Sequence, residues 1–259
     1  MNSYEKKTGQ GLEKLTSKND CYAINELGER KFQEGNYKEA LEYFEKASKL
    51  GSDMAINNIG FYFLEIENNF EEAEKYFNKA IEKGNIIAIN NLGVLNIDKN
   101  NYEEAEKYFL LAIDKKCSFA YNNLGGLYEN VYQKYEEAEK LYQRCFEETE
   151  DTDCLINLAY LYLNYYKNKN EAIKYLEEAI KINPKNSYAL SNLAYSYKEI
   201  WNLEKAKEYL NKAIEIDNLN YQANFNLALL NYEQKNYKET VNILTKIIEN
   251  YENKNKKLG

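Results

Sequence analysis

Two series of small residues run through the chain in step. One is Gly28, Gly60, Gly93, Gly125, Ala159, Ala194 and Ala228, and the other is Ala40, Ala73, Ala105, Ala138, Ala172, Ala206 and Thr240. Successive members of either series lie 32 to 35 residues apart. A period of this length is the mark of one supersecondary unit repeated along an array, and it overrides the one or two globular domains that chain length alone suggests. A unit so short cannot bury its own apolar face, so each copy must be covered by its neighbours.

Residues 85–116 show the unit. Ala88, Ile89, Leu92 and Leu95 fall at three- and four-residue intervals on one helix face, helix A. Tyr102, Ala105, Phe109, Ala112 and Ile113 do the same on helix B. Between them Asp98-Lys99-Asn100-Asn101 is a polar break. Asn101 is placed to cap helix B, with Glu104 three residues on to complete a capping box. The same cap position holds Asn36, Asn69, Lys134, Asn168, Asn202 and Asn236 in the other copies. Four residues after each helix B small residue stands Phe44, Phe77, Phe109, Tyr142, Leu176, Leu210 or Leu244. A small residue on helix A lets helix B approach closely, and a large one on helix B fills the space.

At these residues the chain resembles the tetratricopeptide repeat (TPR) family. The pattern Leu-Gly/Ala in helix A, then Ala-x-x-x-Phe/Tyr/Leu-x-x-Ala in helix B, is that family's signature, and Pro184 stands in its place between units. The first four copies also resemble Sel-like repeats, through Ala23-x-x-x-Leu27-Gly28 and its counterparts at Gly60, Gly93 and Gly125, and through Gly51 and Gly84 after helix B. The resemblance implies an all-α, right-handed α-solenoid of seven antiparallel helix-turn-helix repeats. They would run 20–51, 52–84, 85–116, 117–150, 151–185, 186–219 and 220–253. Residues 1–19 are then an extension, in which Leu12 and Leu15 offer a short helix against a frayed polar terminus, and 254–259 a polar tail.

Several function classes fall away. With no histidine in the chain, no Ser-His-Asp or Cys-His arrangement can form, and no phosphate-cradling glycine loop is present. An enzyme is not expected. Cys21, Cys117, Cys145 and Cys154 lack zinc-ligand spacing, so neither metal nor cofactor is expected. Cys145 and Cys154 fall at small-residue packing positions and read as buried thiols rather than ligands or a disulfide. A net charge of −8 lacks the basic footprint of a nucleic-acid binder and suits basic partners instead. No stretch approaches the ~20 apolar residues of a membrane span, and the first residues carry no signal-peptide core, which points to the cytoplasm.

What remains is binding to protein. Two residues before the helix A small residue stand Asn58, Asn91, Asn123, Asn157, Asn192 and Asn226. The resemblance places this position on the concave wall, where an amide can both donate to and accept from a peptide backbone. Bonding to a neighbouring helix is the competing role. Phe61, Tyr160, Tyr195 and Tyr232 add apolar surface to that wall, and some of them can instead pack between A helices. The expected function is a non-catalytic scaffold or adaptor holding a peptide or helix of a protein partner, with no nucleic acid and no membrane involved. Val241, Leu244, Ile248 and Tyr251 form an apolar set on the last helix with no following helix to cover it. Weak self-assembly through that end is one alternative. Service as a regulatory or targeting subunit of an enzyme is another.

Overall fold

In the computed structural model the described residues are 20–258, with side chains described through residue 249. The expected extension at 1–19 and the side chain of Tyr251 lie outside them, while the expected tail from 254 continues the last helix as far as Leu258. Among the described residues every regular element is a helix. The helices come in pairs: α1 (Cys21–Gln33) with α2 (Tyr37–Lys49), α3 (Asp53–Glu65) with α4 (Phe70–Glu82), and α5 (Ile87–Asp98) with α6 (Tyr102–Asp114). They continue as α7 (Phe119–Asn130) and α8 (Tyr135–Thr149), α9 (Thr152–Asn164) and α10 (Lys169–Ile182), α11 (Ser187–Glu199) and α12 (Leu203–Ile216), then α13 (Tyr221–Glu233) and α14 (Tyr237–Leu258). Two compact units divide the chain inside α7, one ending at Leu127 and one beginning at Tyr128.

The first unit shows why helix A carries glycine. A Cβ added at Gly28 would stand 2.6 Å from the ring of Phe44, and one at Gly60 would stand 2.7 Å from Phe77. Those rings are 2% and 0% exposed, so they have nowhere to retreat. The second unit solves the same problem with different sizes. Ala159 and Ala194 share one buried cluster with Leu176 and Leu210. Glycine with phenylalanine in one unit, and alanine with leucine in the other, keep the filled volume nearly constant.

The turn between helices A and B closes on one residue of positive φ in each pair: Gly35, Asn68, Asn100, Gln133, Lys167, Trp201 and Lys235. After α2 and α4 the chain leaves the helix through Gly51 (φ 94°) and Gly84 (φ 91°), conformations that only glycine adopts without strain.

Two expectations need correction. Asn101 occupies the cap position of α6, but its side chain makes no cap hydrogen bond and its Nδ2 turns instead toward Asn96 Oδ1 at 3.5 Å, which leaves the capping box unformed. Asn69, Asn168 and Asn202 do cap, accepting from the backbone N–H three residues on. Cys145 and Cys154 are buried as expected but form a disulfide. The reason is geometric. Helix B and the next helix A face each other through small residues, Ala47 with Ala55 for example, and at this junction both are cysteine with Cα atoms 6.0 Å apart, within the span a disulfide needs.

Candidate functional site

In the first unit the asparagine series is engaged between helices. Asn123 Nδ2 donates to Asn90 Oδ1 (2.8 Å), and Asn91 Nδ2 donates to Asn57 Oδ1 (2.9 Å). Asn58 Nδ2 donates to Asn25 Oδ1 and to Glu29 Oε1, both at 3.0 Å. Weaker contacts of 3.4 and 3.5 Å join Asn90 to Asn91 and Asn57 to Asn58 within their own helices. The result is a chain of amides running from α7 to α1. Its second strand is Asn25, Asn57 and Asn90, which are 3%, 7% and 5% exposed. Sequence reasoning missed these three. The signal was present, since an Asn-Asn dipeptide recurs at residues 57–58, 90–91 and 122–123.

The second unit lacks that dipeptide. Ile156, Ser191 and Phe225 stand where the first unit has its inner asparagines. Asn192 Oδ1 accepts from Gln222 Nε2 at 2.9 Å, which leaves its NH2 group to donate elsewhere. Among the described residues Asn226 makes no side-chain hydrogen bond, while Asn157 is engaged. Asn192 and Asn226 line a cavity of about 260 Å³ together with Tyr160, Tyr195, Ile156 and Leu163. One lining residue, Leu176 of α10, is fully buried. Four of the expected residues are thus brought into one site. Among the described residues no charged side chain lines it, so its polar chemistry is that of amides and phenols, which match a peptide's own groups.

A smaller cavity of about 190 Å³ lies in the first unit, lined by Glu29, Phe32, Gln33, Phe44, Asn58 and Phe61. Phe32 and Phe61 form a tilted pair with centroids 5.7 Å apart. Tyr232 is exposed beside Tyr237 and belongs to neither cavity. Val241 and Ile248 are 61% and 59% exposed, and Leu244 is 39% exposed. One inner residue differs in kind: Glu129 is buried, and Tyr142 donates its hydroxyl to Glu129 Oε2 at 2.7 Å. Burial pushes this carboxyl above the usual range, and the tyrosine hydrogen bond draws it part of the way back. Among the described residues there is no cluster of metal-ligating side chains, and no helix is long and apolar enough to cross a membrane.

Tetratricopeptide repeat models match residues 62–121, 152–186, 187–218 and 222–253, together more than half of the chain. A Sel1 repeat model matches residues 22–52. No curated protein matches in sequence. Among solved structures, the crystal structure of yeast Tom70 is similar at 21% identity and a TM-score of 0.72, over 92% of this chain and 53% of that one. The Cut9 and Hcn1 hetero-tetramer of the APC/C is similar at 17% identity and a TM-score of 0.64, over 85% of this chain and 44% of that one. MamA from Desulfovibrio magneticus RS-1 is similar at 18% identity and a TM-score of 0.51, over 63% of this chain and 93% of that one. At these identities the likeness is one of fold, and this chain spans about half the length of the first two.

Proposed function

The chain belongs to the tetratricopeptide repeat family, and from that premise we propose that it is a non-catalytic interaction scaffold whose second unit holds an extended segment of a protein partner. The observation that carries this reading is the contrast between the two asparagine sets. Asn58, Asn91 and Asn123 satisfy neighbouring helices, whereas Asn192 and Asn226 offer amide groups to a cavity walled by Tyr160 and Tyr195. Amides of this kind bond to backbone N–H and C=O together, which holds extended chain with little regard to its sequence, and the apolar walls take its side chains.

The test begins with a partner recovered by affinity capture and identified by mass spectrometry. Two lost hydrogen bonds of about 1 kcal/mol each predict that Asn192→Ala with Asn226→Ala weakens binding about tenfold or more. Thermal stability should barely move. Unchanged affinity in a folded double variant removes the second-unit site from the reading.

The exposure of Val241, Leu244 and Ile248 favours a second reading, weak self-association through α14. The two readings are separable, because one depends on a partner and the other on the concentration of this chain alone.

A further inference from the structure

Of the helix A positions one residue past the small residue, only the first carries a charge. Glu29 stands where the later copies have Phe61, Val94, Gly126, Tyr160, Tyr195 and Leu229. Its carboxylate is held in place rather than free to swing. Asn25 Nδ2 at 2.8 Å and Asn58 Nδ2 at 3.0 Å both donate to Oε1. Among the described residues Oε2 accepts no hydrogen bond and no cation pairs with Glu29. The neighbouring cations are taken, Arg30 by Glu26 and Lys31 by Glu34 and Glu39. The same carboxylate lines the cavity of about 190 Å³ whose walls include Phe32 and Phe61. Those rings stand 5.7 Å apart at 51°, and Tyr37 packs edge-on against Phe32 at 5.0 Å. Phe61 is 37% exposed, so the cavity opens to solvent.

From this geometry we infer that the first unit carries a receptor for one cationic side chain, lysine or arginine, of a partner segment. Aromatic faces attract a cation through their quadrupole and cover its methylene stem, while a fixed carboxylate supplies the counter-charge. Fixing the carboxylate beforehand removes an ordering cost that a free glutamate side chain would impose on binding. An acidic or neutral segment gains neither term, and Glu29 would repel a carboxylate. The inference shares with the proposed function the premise that helix A faces hold partner segments, but it concerns a different cavity with different chemistry.

The experiment needs no partner. The full-length chain, with fluorine-labelled phenylalanine, is titrated in separate runs with N-acetyl-arginine amide, N-acetyl-lysine amide and N-acetyl-norleucine amide, and the resonances of Phe32 and Phe61 are followed. The cationic probes are expected to bind about fivefold more tightly than norleucine. Glu29→Gln should abolish that preference while leaving norleucine unaffected, because glutamine keeps an oxygen for Asn25 and Asn58. Phe61→Leu, at an exposed position that does not endanger folding, should weaken arginine more than norleucine. Equal affinity of arginine and norleucine, or arginine binding unchanged in both variants, overturns the inference. Asn192→Ala with Asn226→Ala leaves this titration untouched, so failure of the second-unit site and failure of the cation receptor are told apart.

Discussion

At the scale of the residue, Glu129 is the clearest departure from the repeat. The copies before and after it place Ile97 and Leu163 at the same position, where an apolar side chain can be covered at no cost. Glu129 is 3% exposed, with Oε1 lacking a partner among the described residues. Removing an ionised carboxylate from water without full hydrogen bonding costs stability, and the group responds by holding its proton more tightly. The consequence for pH follows from linkage. With the folded pKa raised above the unfolded value of about 4.3, the folded chain binds more protons in that window. Stability is therefore full below the unfolded value and falls as pH rises through the folded one. Glu129→Gln removes the ionisation and keeps an acceptor for Tyr142. It should raise the free energy of unfolding at pH 7 and change it little near pH 4. Denaturant titrations at both values read the difference, and equal stability of the two proteins at pH 7 would show that the buried carboxylate is not penalised.

At the scale of the element, helix A and helix B were legible because their signals are local. Ala88, Leu92 and Leu95 on one side and Ala105, Phe109 and Ala112 on the other are buried as their spacing requires. What the sequence did not give is where polar groups find partners across helices. Asn58, Asn91 and Asn123 were seen as a series, but their donors reach residues 29 to 34 positions away, and nothing in a one-helix pattern marks that reach. The disulfide escaped for the same reason, since two cysteines nine residues apart across a turn show their proximity only once the junction is packed. Both features yield expectations. Asn90→Ala deprives Asn123 of its acceptor in a nearly closed site and should cost about 1–2 kcal/mol in denaturant unfolding, more than the same change at Asn226. A nine-residue loop closed by a disulfide stabilises by about 2–3 kcal/mol on the chain-entropy estimate. Cys145→Ala with Cys154→Ala recreates the alanine pair of the other junctions. It should fall below the oxidised protein by that amount and match the reduced protein, and equal stability with and without reductant would deny the cross-link any role.

At the scale of the whole molecule, the repeat period is fully visible in the sequence, and the division after Leu127 falls where the spacing of the small residues lengthens, from 32–33 residues up to Gly125 and Ala138 to 34–35 beyond them. Charge is the property that belongs to the chain entire. A net −8 makes two copies repel, and it attracts a basic segment. Self-association through Val241, Leu244 and Ile248 must therefore work against the charge. Three side chains fall well short of the roughly 1,200 Å² of a stable interface, so the dissociation constant belongs on the order of 0.1 mM or weaker. Added salt screens the repulsion while leaving apolar contact intact. Sedimentation equilibrium should then show the average mass rising with protein concentration, and rising further with sodium chloride. Val241→Glu with Ile248→Glu, both at exposed positions, should hold the chain monomeric throughout. Binding of the arginine probe at Glu29 should move the opposite way, weakening as salt is added. A mass that stays monomeric at every salt and concentration ends the self-association reading and leaves the surface of α14 without a role in assembly.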